Sequence, residues 1–371
     1  MIGSWKSYKV GDIFKISSGG TPSRNKPEYF ENGKIPWVKT GDLKGVFVKF
    51  PDEKITDIAL ANSSAKVFPK NTVLLAMYGA TIGACSILPF EASTNQACAA
   101  FLPNEKCNVY FLYYFLSSIK QDLIALGVGG GQPNISAGII KDLQIPLPPL
   151  PQQQKIANIL DAADALRQND KALIAKYDEL TQSLFLDMFG DPVSNPKGLE
   201  KVKFLDLFNI ETGKLDSNHS VINGKYPFFT CAKEVLAINS FSYDKEALLL
   251  AGNNAAGVYD VKHYIGKFDA YQRTYILTLD PTLRSYLFYK LHLELKLKDL
   301  QKLSIGSSTK YLTMKIFERI EFLSPPLELQ YQFAECVAAI EAQKAIAQAS
   351  LAKSEELFNS LLQKAFKGEL V

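Results

Sequence analysis

The stretch PLPPLPQQQKIANILDAADAL, Pro146 to Leu166, decides how this chain folds. Four prolines crowd its first six residues, and helix-forming residues with an apolar period follow. Proline holds the backbone extended and is tolerated only in the first turn of a helix, so the stretch predicts a hard stop and then a helix start. Residues Ser324 to Ala334, SPPLELQYQFA, repeat the arrangement. Two long helices are therefore predicted, each behind a proline-rich stop.

Beyond the first stop, Ile159, Ala163, Leu166, Asp170, Leu173, Tyr177, Leu180 and Leu184 recur at alternating spacings of four and three. Phe333, Val337, Ile340, Lys344, Ala347, Leu351, Ser354, Phe358, Leu361 and Ala365 do the same beyond the second. This is a heptad seam. Gly190, followed by Asp191 and Pro192, and Gly368 stand where C-terminal caps belong. About 39 helical residues make a rod of roughly 55–60 Å, longer than a body of about 130 residues can cover. Each seam then calls for the other helix, paired antiparallel; the alternative is that each helix folds onto its own body. Asp170 and Lys344 interrupt the seams, either as solvated edge residues or as a polar pair that fixes register.

The segments before the two stops can be superposed at a shift drifting from 194 to 177 residues. GDIFKISSGG (Gly11–Gly20) faces LDLFNIETGK (Leu205–Lys214), VLLAMYGATIG faces ALLLAGNNAAG, and STNQACAAFLP faces DAYQRTYILTL. The chain is a diverged duplication. Each half reads as short β-rich runs broken by Gly, Asn and Pro, with short helices such as Val109–Leu116 and Leu283–Lys290. The predicted fold is α+β: two duplicated bodies, 1–150 and 191–327, separated by helices 151–190 and 328–371 that form an antiparallel coiled-coil spacer with pseudo-two-fold symmetry.

Charge follows the same division. The net charge is +4 over 1–150, −3 over 151–200, +4 over 201–325 and −2 over 326–371. Basic bodies with acidic connectors suit a polyanionic partner, though charges of this size also occur in ordinary proteins. No window approaches the ~18 apolar residues of a membrane span, and MIGSWKSYKV lacks an export signal, so a cytoplasmic protein without membrane contact is expected. Five cysteines without a C-x-x-C predict neither disulfide nor zinc.

The sequence predicts no catalytic residue and no metal site. No phosphate-binding G-x-x-x-x-G-K-[ST] and no G-x-G-x-x-G opening a helix is present, and the three histidines (His219, His263, His292) are isolated. The pattern points to binding. Polar, Gly-bearing loops offer Lys and Arg for phosphate or guanine (Arg24, Lys39, Lys214, Arg273, Lys310) and amide or phenol groups for base edges (Gln96, Gln132, Asn134, Asn254, Tyr271, Gln272). Thr21, Thr40, Tyr78, Asn253, Ser308 and Tyr311 belong to the same loops. For each residue the alternative is a solvated turn.

Over nearly its whole length the chain resembles the specificity subunit of type I restriction–modification systems. The resemblance rests on WKSYKVGDIFKISSGGTPS with IPWVKTGDL, on IPLPPLPQQQKIANILDAADAL, and most specifically on LFLDMFGDPVSNPKGLEKVKFLDLF (Leu184–Phe208). It implies two target-recognition domains, each reading one half of a bipartite site in double-stranded DNA. It further implies helices that set the spacer and dock two modification subunits, with restriction subunits completing the complex. S-adenosylmethionine, ATP and Mg would belong to those partners, and this chain would bear no cofactor. In the second half FNIETGKLDSNHS lacks the Gly-Gly-Thr-Pro loop, and CAKEV replaces a Trp-bearing strand. Competing readings are a coiled-coil scaffold without DNA affinity and a free-standing DNA enzyme.

Overall fold

The computed structural model describes residues 5–127, 133–255 and 257–370. It forms two compact units, residues 1–171 with 348–371, and residues 172–347. The break therefore falls inside both long helices, so each unit holds the first part of one and the last part of the other.

In the first unit, one four-stranded sheet runs Ile16–Ser18, Cys98–Phe101, Val73–Ala76, Cys85–Ile87; the other runs Lys54–Ile55, Ile35–Val38, Ala92–Thr94, Val67–Phe68. One pairing is parallel, with Trp37 opposite Ser93 and Val38 opposite Thr94. The second unit joins the corresponding strands into one six-stranded sheet: Asn209–Thr212, Thr274–Thr278, Tyr243–Ala251, Val261–Ala270, Tyr226–Phe229, Leu236–Ile238. Its parallel pairing sets Phe228 opposite Asp269. Proline explains the difference. Pro69 and Pro89 interrupt the first unit between successive strands by removing ladder donors, whereas 243–251 and 261–270 contain no proline and stay continuous. The Trp-bearing strand is thus replaced by Tyr226–Phe229, with Phe228 in the place of Trp37; the CAKEV assignment is corrected, because Cys231 follows that strand.

Val109–Ser118 is capped by Asn108, whose Oδ1 accepts from Tyr110 N at 3.0 Å. Its counterpart starts at Tyr286 and runs to Leu303, longer than the expected Leu283–Lys290. Ser285 caps it, Lys290 and Glu294 pair at 2.7 Å, and no Gly or Pro intervenes before Gly306.

The long helices are Leu150–Phe189 and Leu327–Lys367. Behind each stop a buried glutamine ties the helix to its body. Gln153 Nε2 donates to Pro148 O at 2.8 Å while its Oε1 accepts from Asn108 N at 2.8 Å; Gln330 does the same with Pro325 O and Ser285 N, both at 2.9 Å. Gly190 ends the first helix at φ +77°, its N–H donating to Leu186 O at 2.8 Å. Gly368 also takes φ +77°.

In the first unit the helix segments run antiparallel: Ser354 Oγ donates to Asp170 Oδ2 at 2.8 Å, Lys171 pairs with Glu355 at 3.0 Å, and Arg167 lies 4.2 Å from the Phe358 ring. Phe358 and Ala365 join Ile156, Leu160 and Ala163 in that unit's core. In the second unit Lys344 pairs with Asp178, and Phe333 packs edge-on to Phe185. Each helix is therefore not packed on its own body alone. Asp170 and Lys344 do not pair with each other, since each finds a partner within its own unit.

The seam differs between the helices. All ten seam positions expected in the second, Phe333 through Ala365, are buried or half-buried. In the first, Tyr177 and Leu184 are half-buried, as is Ile159, but Leu166, Leu173 and Leu180 are 53, 41 and 49% exposed. The less exposed strip lies one residue away, at Leu160 and Thr181, which are buried, and Arg167 and Ile174, which are half-buried. Those three leucines are thus off the seam, a correction. Arg167 covers Phe358 with its guanidinium, and Thr181 satisfies its hydroxyl on Tyr177 O at 3.2 Å, so polar residues fill the seam there.

Candidate functional site

A turn carrying a glutamine recurs in both units. Asn95 N donates to Val38 O at 3.0 Å and Tyr271 N to Phe229 O at 2.9 Å, so Gln96 and Gln272 each follow the end of the parallel strand pair. Met77 N then donates to Ala97 O at 2.8 Å, and Gly252 N to Arg273 O at 2.9 Å. A return segment closes against the same strand end: Ile135 N to Met77 O and Leu312 N to Gly252 O, both 2.9 Å. At this turn the two halves share the same set of backbone bonds.

The loop after the first sheet strand lies over each glutamine turn. Only glycine fits beneath it, because a Cβ on Gly19 would fall 2.0 Å from Thr94 O and one on Gly213 2.1 Å from Ala270 O. These loops deliver side chains to the glutamines: the Thr21 hydroxyl bonds Gln96 Oε1, and Gln272 Nε2 donates to Asp216 Oδ1 at 2.8 Å.

Around Gln96, Tyr78 bridges Asn134 through backbone pairing, and Tyr78, Gln96 and Asn134 share a cleft of about 540 Å³ with Ser17, Met77 and Lys141. Around Gln272, Asn253 pairs with Tyr311 and Asn254 with Lys310, while the Arg273 guanidinium lies 5.8 Å from the Tyr311 ring. Arg273 and Tyr311 line a second cleft of about 490 Å³ with Tyr275, Ile305 and Met314. Tyr271 is half-buried in the turn; Lys214 and Ser308 are exposed on neighbouring loops.

Arg24 and Lys39 are brought together, but on a carboxylate. Both pair with Glu53, Arg24 at 2.6 Å, and Arg24 also covers Trp37 at 5.0 Å. The hydrogen bond from Lys39, joined by Arg24, holds the Glu53 carboxyl below the usual carboxylate range. Two cations thus carry one surplus charge. Thr40 opens the following 3₁₀ turn, in which Lys39 N donates to Asp42 Oδ2 at 2.8 Å. Gln132 lies outside the described residues. Sequence reading missed Glu53 and Asp216, which lie 14 residues from Lys39 and 56 from Gln272 and carry no motif.

The histidines are dispersed. His292 is fully buried among Phe185, Phe288 and Phe322, His263 bonds Glu246 at 2.8 Å, and His219 is exposed. Among the described residues no helix is long and apolar enough to cross a membrane, and no group of three or more His, Cys, Asp or Glu could hold a metal ion.

Comparison with known proteins adds the family. The family described as type I restriction modification DNA specificity domain matches residues 3–176 and 196–355. The type I restriction enzyme MjaIX specificity subunit of Methanocaldococcus jannaschii is 24% identical, the alignment covering 99% of this chain and 93% of that protein. The EcoR124I/EcoR124II specificity subunit of Escherichia coli is 31% identical over 49% of this chain and 46% of its own length. Among solved structures, the S subunit of the type I restriction–modification system from M. genitalium superposes with a TM-score of 0.62 at 19% identity, covering 98% of this chain and 96% of that one.

Proposed function

The chain belongs to the type I restriction modification DNA specificity family, and on that footing we propose that its two units each read one half of a bipartite target in double-stranded DNA. It is a specificity subunit, and its part in the system is DNA target recognition. The finer assignment is ours: 1–150 and 191–327 act as target-recognition domains, and 151–190 and 328–371 act as spacer helices that set the distance between half-sites. Modification subunits dock on these helices, and restriction subunits complete the assembly.

In this reading the chain performs no chemistry. Adenine methylation from S-adenosylmethionine and ATP-dependent cleavage with Mg belong to the partner subunits. The chain's residues bind and orient: Lys214, Arg273 and Lys310 meet phosphate or guanine in the second unit, and Arg24 and Lys39 do so in the first by exchanging Glu53 for the duplex. Gln96, Asn134, Asn254, Tyr271 and Gln272 face base edges. A bidentate side-chain contact discriminates between bases by about 1–3 kcal/mol.

The single observation that carries the proposal is the repeated glutamine turn. Two units of unlike surface sequence keep the same backbone bonds around Gln96 and Gln272, as expected of one scaffold adapted to two different half-sites. Methylation of a pool of duplexes by the assembled complex tests it. Gln96→Ala should relax base preference in one half-site and Gln272→Ala in the other; equal loss in both would exclude one unit per half-site.

A further inference from the structure

In the second unit the side-chain amide of Gln272 has a carboxylate as its neighbour, Asp216. A carboxamide can present either its oxygen or its amino group, and which way it faces decides which base it matches. In the second unit that choice is made chemically: Asp216 Oδ1 lies 2.8 Å from Gln272 Nε2, and an ionised carboxylate can only accept. The amino group must therefore face Asp216.

The carboxylate is held in place by backbone. Gln272 N donates to Leu215 O at 2.9 Å, Leu215 N to Ala270 O at 3.5 Å, and Gly213 N to Thr274 O at 3.1 Å, which zips residues 213–215 onto the turn. Asp216 O also accepts from His219 N at 3.2 Å. Gln272 is thus anchored by its backbone to one loop residue and by its side chain to the next.

Resting on the reading of the second unit as a half-site reader, we propose that Asp216 is a positioning residue that restricts Gln272 to adenine. With one N–H committed to Asp216, the amide keeps one N–H and its carbonyl oxygen. That pair complements adenine, where N7 accepts and the N6 amino group donates. Guanine presents O6 and N7, two acceptors, and the tethered amide opposes one of them with its own oxygen. The first unit lacks this restriction, because the Thr21 hydroxyl beside Gln96 can donate or accept and so tolerates either amide orientation.

The test uses the full chain assembled with its modification subunits and a pool of duplexes with randomised bases, bound fractions being sequenced. Gln272→Ala identifies the position it reads as the one where preference disappears. In the unsubstituted protein that position should select adenine. Asp216→Asn, which can donate as well as accept, should lower adenine-over-guanine preference there by about tenfold while the other half-site keeps its preference. Selection of guanine by the unsubstituted protein, or an undiminished adenine preference in Asp216→Asn, overturns the proposal. Failure of the underlying reading looks different: no enriched sequence at all, or a Gln272→Ala variant that loses both half-sites together.

Discussion

Gln153 and Gln330 occupy the same corner of their respective units, each bridging a proline carbonyl five residues back and the backbone N–H of a helix-capping residue, Asn108 or Ser285. Both are essentially buried. Replacing Gln330 by Leu strands one donor and one acceptor, and replacing Gln153 strands a second acceptor as well, Lys106 O at 3.1 Å, at a cost of about 1–3 kcal/mol for each group left unpaired. Denaturant unfolding of the single variants should show losses of that order for both; a change within error would mean that water replaces the amide.

Gly19 and Gly213 let the loops that carry Thr21 and Asp216 lie on the glutamine turns. Gly213→Ala places a methyl group where Ala270 O and Tyr271 O already sit, at 2.1 and 2.4 Å, so the loop carrying Asp216 must lift. The expected result is loss of base preference in one half-site, with thermal stability lowered by only about 1–3 kcal/mol. Sequencing of methylated duplexes, alongside a melting curve, separates these effects.

His292 should make the second unit acid-sensitive. Burial among aromatic rings, with Lys296 nearby, pushes its pKa from 6.5 down to about 3. Between those values the unfolded chain holds a proton that the folded chain does not, so stability falls as pH drops below 6.5 and is unaffected above it. The slope approaches about 1.4 kcal/mol per pH unit for one group. His292→Phe should flatten the dependence of unfolding free energy between pH 6 and 4 (both rough bounds). An unchanged slope would assign the acid sensitivity elsewhere.

Leu166, Leu173 and Leu180 recur every seven residues and are exposed on the first long helix. Changing all three to Gln should leave the unfolding midpoint of the chain nearly unaltered, because each exposed substitution costs within about 0.5 kcal/mol. Association with modification subunits should weaken, as read by sedimentation of the mixture. Unchanged association would move the docking surface off this stripe.

One added heptad in each long helix lengthens the antiparallel rods by about 10 Å at 1.5 Å per residue. Targets with a longer gap between half-sites should then be preferred. Methylated-site sequencing that returns the original gap would remove the helices as its determinant.

Periodicity and punctuation carried the architecture. Proline has no N–H and a locked φ, so Pro148–Pro149 and Pro325–Pro326 announce the two helix starts in any context, and the heptad spacing announces that each helix needs a partner. The duplication was equally legible, because matched glycines and apolar residues answer to local backbone demands that both halves share. Which strip of the first helix lies inside was decided by tertiary structure. Leu166 and Arg167 are adjacent, and a heptad count weighs Leu above Arg; only the Phe358 ring, supplied by a helix 191 residues away, makes the arginine the inward residue. The same holds for recognition. Gln272 is visible in the sequence as a candidate, but the carboxylate that turns its amide comes from 56 residues earlier, and the orientation of a hydrogen-bonding group exists only once its partner has been folded beside it.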